Sequence, residues 1–140
     1  MTICDFCDPK VIVKQKVYED DLIVVIYPQK PIIFHHLILF PKKHHQLISE
    51  MSPEEIVRTN QIIEKIYLNF KNKNNCTGYN LTSNNGGPKV GQTSPHCHFH
   101  LFLRFENEAI SPFKVMNDPT LKEILTPKEL EIRKKISHIL

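Results

Sequence analysis

Three histidines, His96, His98 and His100, alternate with Cys97 and Phe99, and an apolar run follows them. Upstream stand two adjacent pairs, His35 with His36 and His44 with His45, and near the start Cys4 and Cys7 are separated by two residues. Imidazole near neutral pH can ligate a metal, carry a proton or attack an electrophile. The spacing narrows that choice. Period-two alternation is the pattern of a half-buried strand, so the three histidines share one face while Cys97, Phe99 and Leu101 point to the other. Same-face neighbours lie roughly 7 Å apart, which separates His96 from His100 by roughly 13 Å along the strand. A metal takes its nitrogen ligands at about 2.1 Å, so those two cannot serve a single ion. The row therefore points to a nucleophile. If one ring nitrogen donates to a carbonyl, the other carries its lone pair outward, and flanking imidazoles can stabilise charge on a phosphoryl oxygen.

Two other stretches carry chemistry of their own. Cys4 and Cys7 can supply half of a tetrahedral zinc shell, and they read equally as a pair of small buried thiols or a redox pair. Residues 83–91, with Gly86, Gly87 and Gly91, form a long loop that can bring backbone amides to an anion or simply connect two strands.

The elements that must position these groups follow from periodicity. Residues 15–18 and 22–27 read as two strands around the polar turn Glu19-Asp20-Asp21. Residues 22–26 are apolar without alternation, which predicts burial on both faces. Residues 36–40 form a third strand closed by Pro41, residues 78–82 a fourth, and the histidine row a fifth that ends near Phe105. Ser52-Pro53-Glu54-Glu55 is a helix start, with Ser52 as cap and Glu55 as its capping-box partner. The helix runs over residues 53–71 with Ile56, Ile62, Ile63, Ile66, Tyr67 and Phe70 on its core stripe. After Glu106 the chain is loop-rich until Thr126-Pro127-Lys128-Glu129 opens a last helix. Its face of Ile132, Ile136, Ile139 and Leu140 docks on the domain or on a partner chain.

The totals limit the function classes. A chain of 140 residues suits one domain with a real core, and its formal charge of +3 comes without a basic block, which argues against a nucleic-acid partner. No stretch reaches the roughly 18 apolar residues of a membrane span, no secretory leader is expected, and four cysteines do not form a disulfide framework in a chain this long. A cytoplasmic protein is expected.

With these residues in view, the sequence resembles the histidine-triad (HIT) superfamily. His96-Cys97-His98-Phe99-His100-Leu101-Phe102 fits its His-x-His-x-His motif, and Gly91-Gln92-Thr93 fits the Gly, Gln, Ser or Thr that precedes it. Residues 30–37 and Pro41-Lys42-Lys43-His44 resemble the family's strand and following turn, and the likeness runs from about Cys4 to Arg104. The resemblance implies an α+β, HIT-like fold: an antiparallel five-stranded sheet with one long helix and a C-terminal helical arm. Residues 1–107 would be the HIT domain and 108–140 an extension ending in the helix.

The activity implied is nucleotide hydrolysis at the α-phosphorus of a phosphoanhydride or phosphoramidate, of the dinucleoside polyphosphate or adenylate type, through a nucleotidyl intermediate on His98. Asn85 and Gln92 would contact the phosphate, Thr93 would contact it or assist the leaving group, His100 would bind phosphate and help proton transfer, and His36 would support the site. Because His100 is kept where related uridylyltransferases carry glutamine, hydrolysis is favoured over transfer. The alternatives are a nucleotidyltransferase and a zinc-stabilised nucleotide-binding interaction module with weak hydrolysis. Members that pair an N-terminal Cys-x-x-Cys with two histidines imply a structural zinc on Cys4, Cys7, His44 and His96. The family further implies a homodimer with a joined sheet, across which the C-terminal arm would reach. One departure bears on substrate: Pro28 stands where many members hold the ribose with an acidic residue or asparagine.

Overall fold

The computed structural model describes residues 4–106, 108, 111–118 and 127–140. A short 3-10 turn, Asp5–Cys7, leads into helix α1, Pro9–Ile12. Five strands follow, β1 Lys16–Glu19, β2 Ile23–Ile26, β3 His36–Pro41, β4 Cys76–Thr82 and β5 Phe99–Phe105. They form one antiparallel sheet in the order β1-β2-β3-β5-β4. Helix α2, Pro53–Asn74, lies between β3 and β4 in sequence, and α3, Pro112–Asn117, and α4, Pro127–Ile139, come after the sheet. The α+β arrangement expected from the sequence is the one observed.

Every residue of β2 is buried, as its unbroken apolar run requires. Alternate side chains feed two separate apolar layers. Ile23, Val25, Leu37, Leu39, Leu101 and Leu103 meet Ile62, Ile63, Ile66 and Phe70 of α2 in the main core. Val24, Ile26, Ile38 and Phe40 face the other way, where Ile12 of α1 and Phe6 cover them. Helix α4 completes the main core through Ile132 and Ile136 and packs on β1 and α2. The expected docking of its apolar face is thus on the chain's own domain, while the cap expected at Thr126 lies outside the described residues.

Helix α2 begins as its sequence dictates: Ser52 Oγ accepts from the Glu55 amide at 3.2 Å and Glu55 Oε1 accepts from the Ser52 amide at 2.7 Å. It ends three residues later than residues 53–71 would allow. Asn75 adopts a left-handed conformation (φ 59°) and donates its amide to the Phe70 carbonyl, closing the helix after a polar last turn that needs only solvent. Ile56, expected on the core stripe, is 43% exposed, and the buried face is instead completed by Glu55 and Thr59. The β1–β2 turn is tied to this helix by Asp20, which accepts from the Leu22 and Ile23 amides and from Arg58 Nε. Burial opposes the Asp20 charge, but Arg58 and the two amides prevail and hold its carboxyl at about 2.

Candidate functional site

The imidazoles converge on the sheet face away from α2. Strand β5 proper starts at Phe99, so His96 and His98 lie in the extended approach to it and only His100 is within the ladder. The alternation survives that shift. Cys97 joins the main core beneath, and His98 and His100 stay on the opposite face with ring centroids 4.9 Å apart. His36 comes from the neighbouring strand, where β3 pairs with β5. The residue before it, His35, takes a left-handed backbone (φ 64°) held by the Tyr27 hydroxyl and the Leu103 amide, and its ring packs on Phe105 and Phe70.

Backbone partners fix the proton on each ring. His98 Nδ1 lies 2.9 Å from the His96 carbonyl. A carbonyl only accepts, so Nδ1 carries the hydrogen and Nε2 carries the lone pair. Among the described residues the one buried side-chain nitrogen or oxygen without a partner is Thr82 Oγ1. His98 Nε2 makes no hydrogen bond to a described residue, and the residue is 5% exposed overall. His36 Nδ1 accepts from the Ile32 amide at 3.0 Å, which leaves its Nε2–H to donate to His100 Nδ1 at 2.9 Å. His100 then carries its own hydrogen on Nε2. Burial holds His98 below the ordinary histidine value, and burial followed by the nearby His98 lowers His100 to about 4. Both rings are neutral at pH 7.

The glycine-bearing loop leads from β4 to this row. Of the residues expected at the phosphate, two shape the loop itself. Gln92 is buried, accepts from the Gly86 and Gly87 amides at 2.8 and 3.0 Å and donates to the Gln46 carbonyl. Asn85 Oδ1 accepts from the Ile48 amide at 2.7 Å, and its Nδ2 donates to Ser83 Oγ. Thr93 is exposed, with neither amide nor hydroxyl hydrogen-bonded to a described residue. Gly91 takes a left-handed backbone (φ 88°) that residues with a side chain rarely adopt, and a Cβ there would stand 3.1 Å from the side-chain Nδ2 of Asn84.

Beside the row, Cys4, Cys7, His44 and His96 bring their ligand atoms within 4.8 Å of one another. His96 Nδ1 lies 3.6 Å from Cys4 Sγ and 3.5 Å from Cys7 Sγ, and His44 Nδ1 lies 3.3 Å from Cys7 Sγ. A tetrahedral ion with sulfur at about 2.3 Å and nitrogen at about 2.05 Å has S···N edges of about 3.5 Å. The residues fit such an ion. The tautomer fits too: His96 Nε2 donates to the Pro41 carbonyl at 2.7 Å and so turns its Nδ1 lone pair to the sulfurs. Burial, then the neighbouring histidines His44, His98 and His45, lower His96 to about 4 and keep it a neutral ligand. Burial and the adjacent Cys4 push the Cys7 thiol up to about 11, a charge penalty that a divalent cation would relieve.

Two contributors escape a reading of the sequence. Phe6, between the two cysteines, stacks on Phe40 with centroids 4.5 Å apart and sets its ring against His98 at 5.1 Å and His96 at 5.9 Å. Its place inside Cys4-x-x-Cys7 was the only available signal. Glu55 accepts from His45 Nε2 at 3.1 Å, and the His45 carbonyl accepts from the Cys97 amide at 2.7 Å, so the start of α2 braces the histidine row. Pro28 is buried and offers no side-chain acceptor.

The chain is similar to known proteins in sequence and in fold. The family model described as HIT domain matches residues 9–107. A HIT-like protein of Borreliella burgdorferi is 33% identical over 136 residues, covering 93% of this chain and 94% of that protein. Adenylylsulfatase HINT3 of Arabidopsis thaliana is 27% identical over 107 residues, 76% of this chain and 54% of that protein. In fold, a crystal structure of a Zn-bound histidine triad family protein from Mycobacterium smegmatis superposes with a TM-score of 0.72, at 20% identity over 97% of this chain and 91% of that one.

Proposed function

The chain belongs to the histidine-triad (HIT) family, and from that premise we propose that it hydrolyses nucleotides at the α-phosphorus of a phosphoanhydride or phosphoramidate, through a covalent intermediate on His98. The observation that carries this reading is His98 Nε2, left with its lone pair and with no hydrogen bond to a described residue while Nδ1–H is held by the His96 carbonyl. Nε2 attacks phosphorus, a P–N bond forms, and the bond to the leaving group breaks with its electron pair. The ring becomes cationic, and the Nδ1–H bond to the carbonyl strengthens as that charge appears. Water then attacks phosphorus, the P–N pair returns to Nε2, the water proton passes to solvent, and nucleoside monophosphate departs.

The supporting roles follow the same geometry. His100, fed by His36, offers its Nε2–H to a phosphoryl oxygen. Thr93 offers an unengaged hydroxyl and amide to phosphate or leaving group. Asn85 and Gln92 act by holding the loop that closes round the phosphate, and Asn85 keeps a second N–H for direct contact. The relative named as an adenylylsulfatase favours an adenylate-type substrate. The buried Pro28, which cannot accept from a ribose hydroxyl, favours a second reading in which the site binds nucleotide and turns it over only weakly.

Zinc is the ion proposed for Cys4, Cys7, His44 and His96, as two thiolates and two imidazoles suit it. Four protein ligands close its shell, so its contribution is to tie the N-terminus beside the histidine row. A homodimer is proposed as the working form.

The test is mass spectrometry of a quenched reaction with several nucleotide donors, dinucleoside polyphosphate, adenylyl sulfate and a phosphoramidate among them. A monophosphate adduct on His98 is expected. His98→Ala and His98→Gln should abolish turnover while nucleoside monophosphate still binds, and full activity in a clean His98→Gln preparation would defeat the proposal. Tight binding with negligible turnover on every donor would select the binding module.

A further inference from the structure

We propose that Ser83 is a positioning residue for the nucleophile, its hydroxyl standing in for the backbone rung that β4 does not supply to His98. This deepens the reading of His98 as nucleophile and rests on it. The β4–β5 ladder ends at the pair Thr82 and His100, and the β3–β5 ladder ends at Leu39 and Phe99. His98 therefore lies beyond both ladders, at the point where the chain of β4 turns away into the glycine-bearing loop. A peptide group in that position loses the strand neighbour that would fix its plane. Ser83, the first residue after β4, replaces it: its Oγ donates to the His98 carbonyl at 2.7 Å.

The direction of that bond is settled by its other neighbour. Ser83 Oγ also receives Asn85 Nδ2 at 3.1 Å, and an amide nitrogen only donates, so the serine hydrogen must point at the carbonyl. Asn85 is oriented in turn by the Ile48 amide on its Oδ1. Three hydrogen bonds in series thus run from the segment before α2 to the peptide of His98. Together with the ring's own bond to the His96 carbonyl, they fix both ends of the His98 side chain's support. A nucleophile held to its line of attack is faster without binding its substrate more tightly, so the effect belongs in the chemical step.

Threonine and valine have nearly the same shape, and only threonine keeps the hydroxyl, so the pair Ser83→Thr and Ser83→Val isolates the hydrogen bond from packing. Single-turnover rates of His98 adduct formation are compared, alongside monophosphate affinity and metal content. The threonine variant should stay within about twofold of the parent. The valine variant should form adduct about fivefold to tenfold more slowly, with affinity within about twofold and metal content unchanged. Equal rates for the two variants, whether fast or slow, would overturn the proposal, as would a loss that falls wholly on affinity. If the parent protein forms no adduct on His98 at all, the proposed activity fails and this role fails with it. An adduct formed equally in all three defeats the positioning role alone.

Discussion

Main-chain atoms, more than neighbouring side chains, decide which nitrogen of each imidazole is free. The Pro41 and His96 carbonyls take the hydrogens of His96 and His98, and the Ile32 amide occupies His36 Nδ1. The last of these has a consequence for pH. An N–H donor, the Ile32 amide, stands on His36 Nδ1, and protonating that nitrogen would break the bond. His100 is held neutral, lowered to about 4 by burial first and by His98 second. In the unfolded chain it would titrate near 6.5. Between those values the unfolded state binds more protons, so stability rises with pH across the window and is complete above about 6.5. Denaturant midpoints measured from pH 7.5 down to 4.5 should hold steady to about 6.5 and then decline, with His100 contributing up to about 3 kcal/mol by pH 4. His100→Gln should show a shallower decline. A midpoint independent of pH over that span would refute the neutral-relay account.

Among the elements, the cluster of Cys4, Cys7, His44 and His96 joins three pieces of chain remote in sequence: the first turn, the bend after β3 and the approach to β5. Because Phe6 rides between the cysteines, whatever holds them also holds an aromatic ring against His98. Elemental assay of protein purified without added metal should give about one zinc per chain. Chelation or Cys7→Ser should lower the melting temperature by several degrees, open residues 4–8 to proteolysis and slow turnover. Phe6→Ala, with its zinc retained, should slow turnover without that proteolysis. Unaltered melting after complete zinc removal would rule out a structural role. The same elements show what a sequence can and cannot disclose. The start of α2 was legible because Ser52 and Glu55 satisfy each other within one turn, and the facing of Cys97 against His98 was legible because alternation is a local property. The end of α2 turned on one left-handed asparagine after a polar run that helix and loop share. Phe6, Glu55 and Ser83 stayed hidden because each acts on a residue at least ten positions away, and only Phe6, set between Cys4 and Cys7, has neighbours that hint at its place.

For the molecule as a whole, the two edges of the sheet are treated differently. Strand β1 is packed by α4, which buries Ile132 and Ile136 in the main core of its own domain. Strand β4 has no strand on its outer side among the described residues. It presents Tyr79 and Leu81, 41% and 42% exposed, with Tyr67 of α2 edge-on against Tyr79. The buried hydroxyl without a partner, Thr82 Oγ1, belongs to the same strand. An open, apolar edge of this kind is the usual template for a further strand, and in the proposed homodimer a second copy of the chain would supply one through a two-fold axis that pairs β4 with β4. Ten strands would then run continuously, and β4, which borders His100 through Thr82, would be stiffened on its far side. Sedimentation equilibrium should therefore give twice the chain mass of 16.4 kDa. Leu81→Asp, which sets a charge on that edge far from the zinc ligands, should give monomers that keep their zinc. A parent protein that sediments as a monomer at tens of micromolar, or a dimer indifferent to Leu81→Asp, would place the contact elsewhere than on β4.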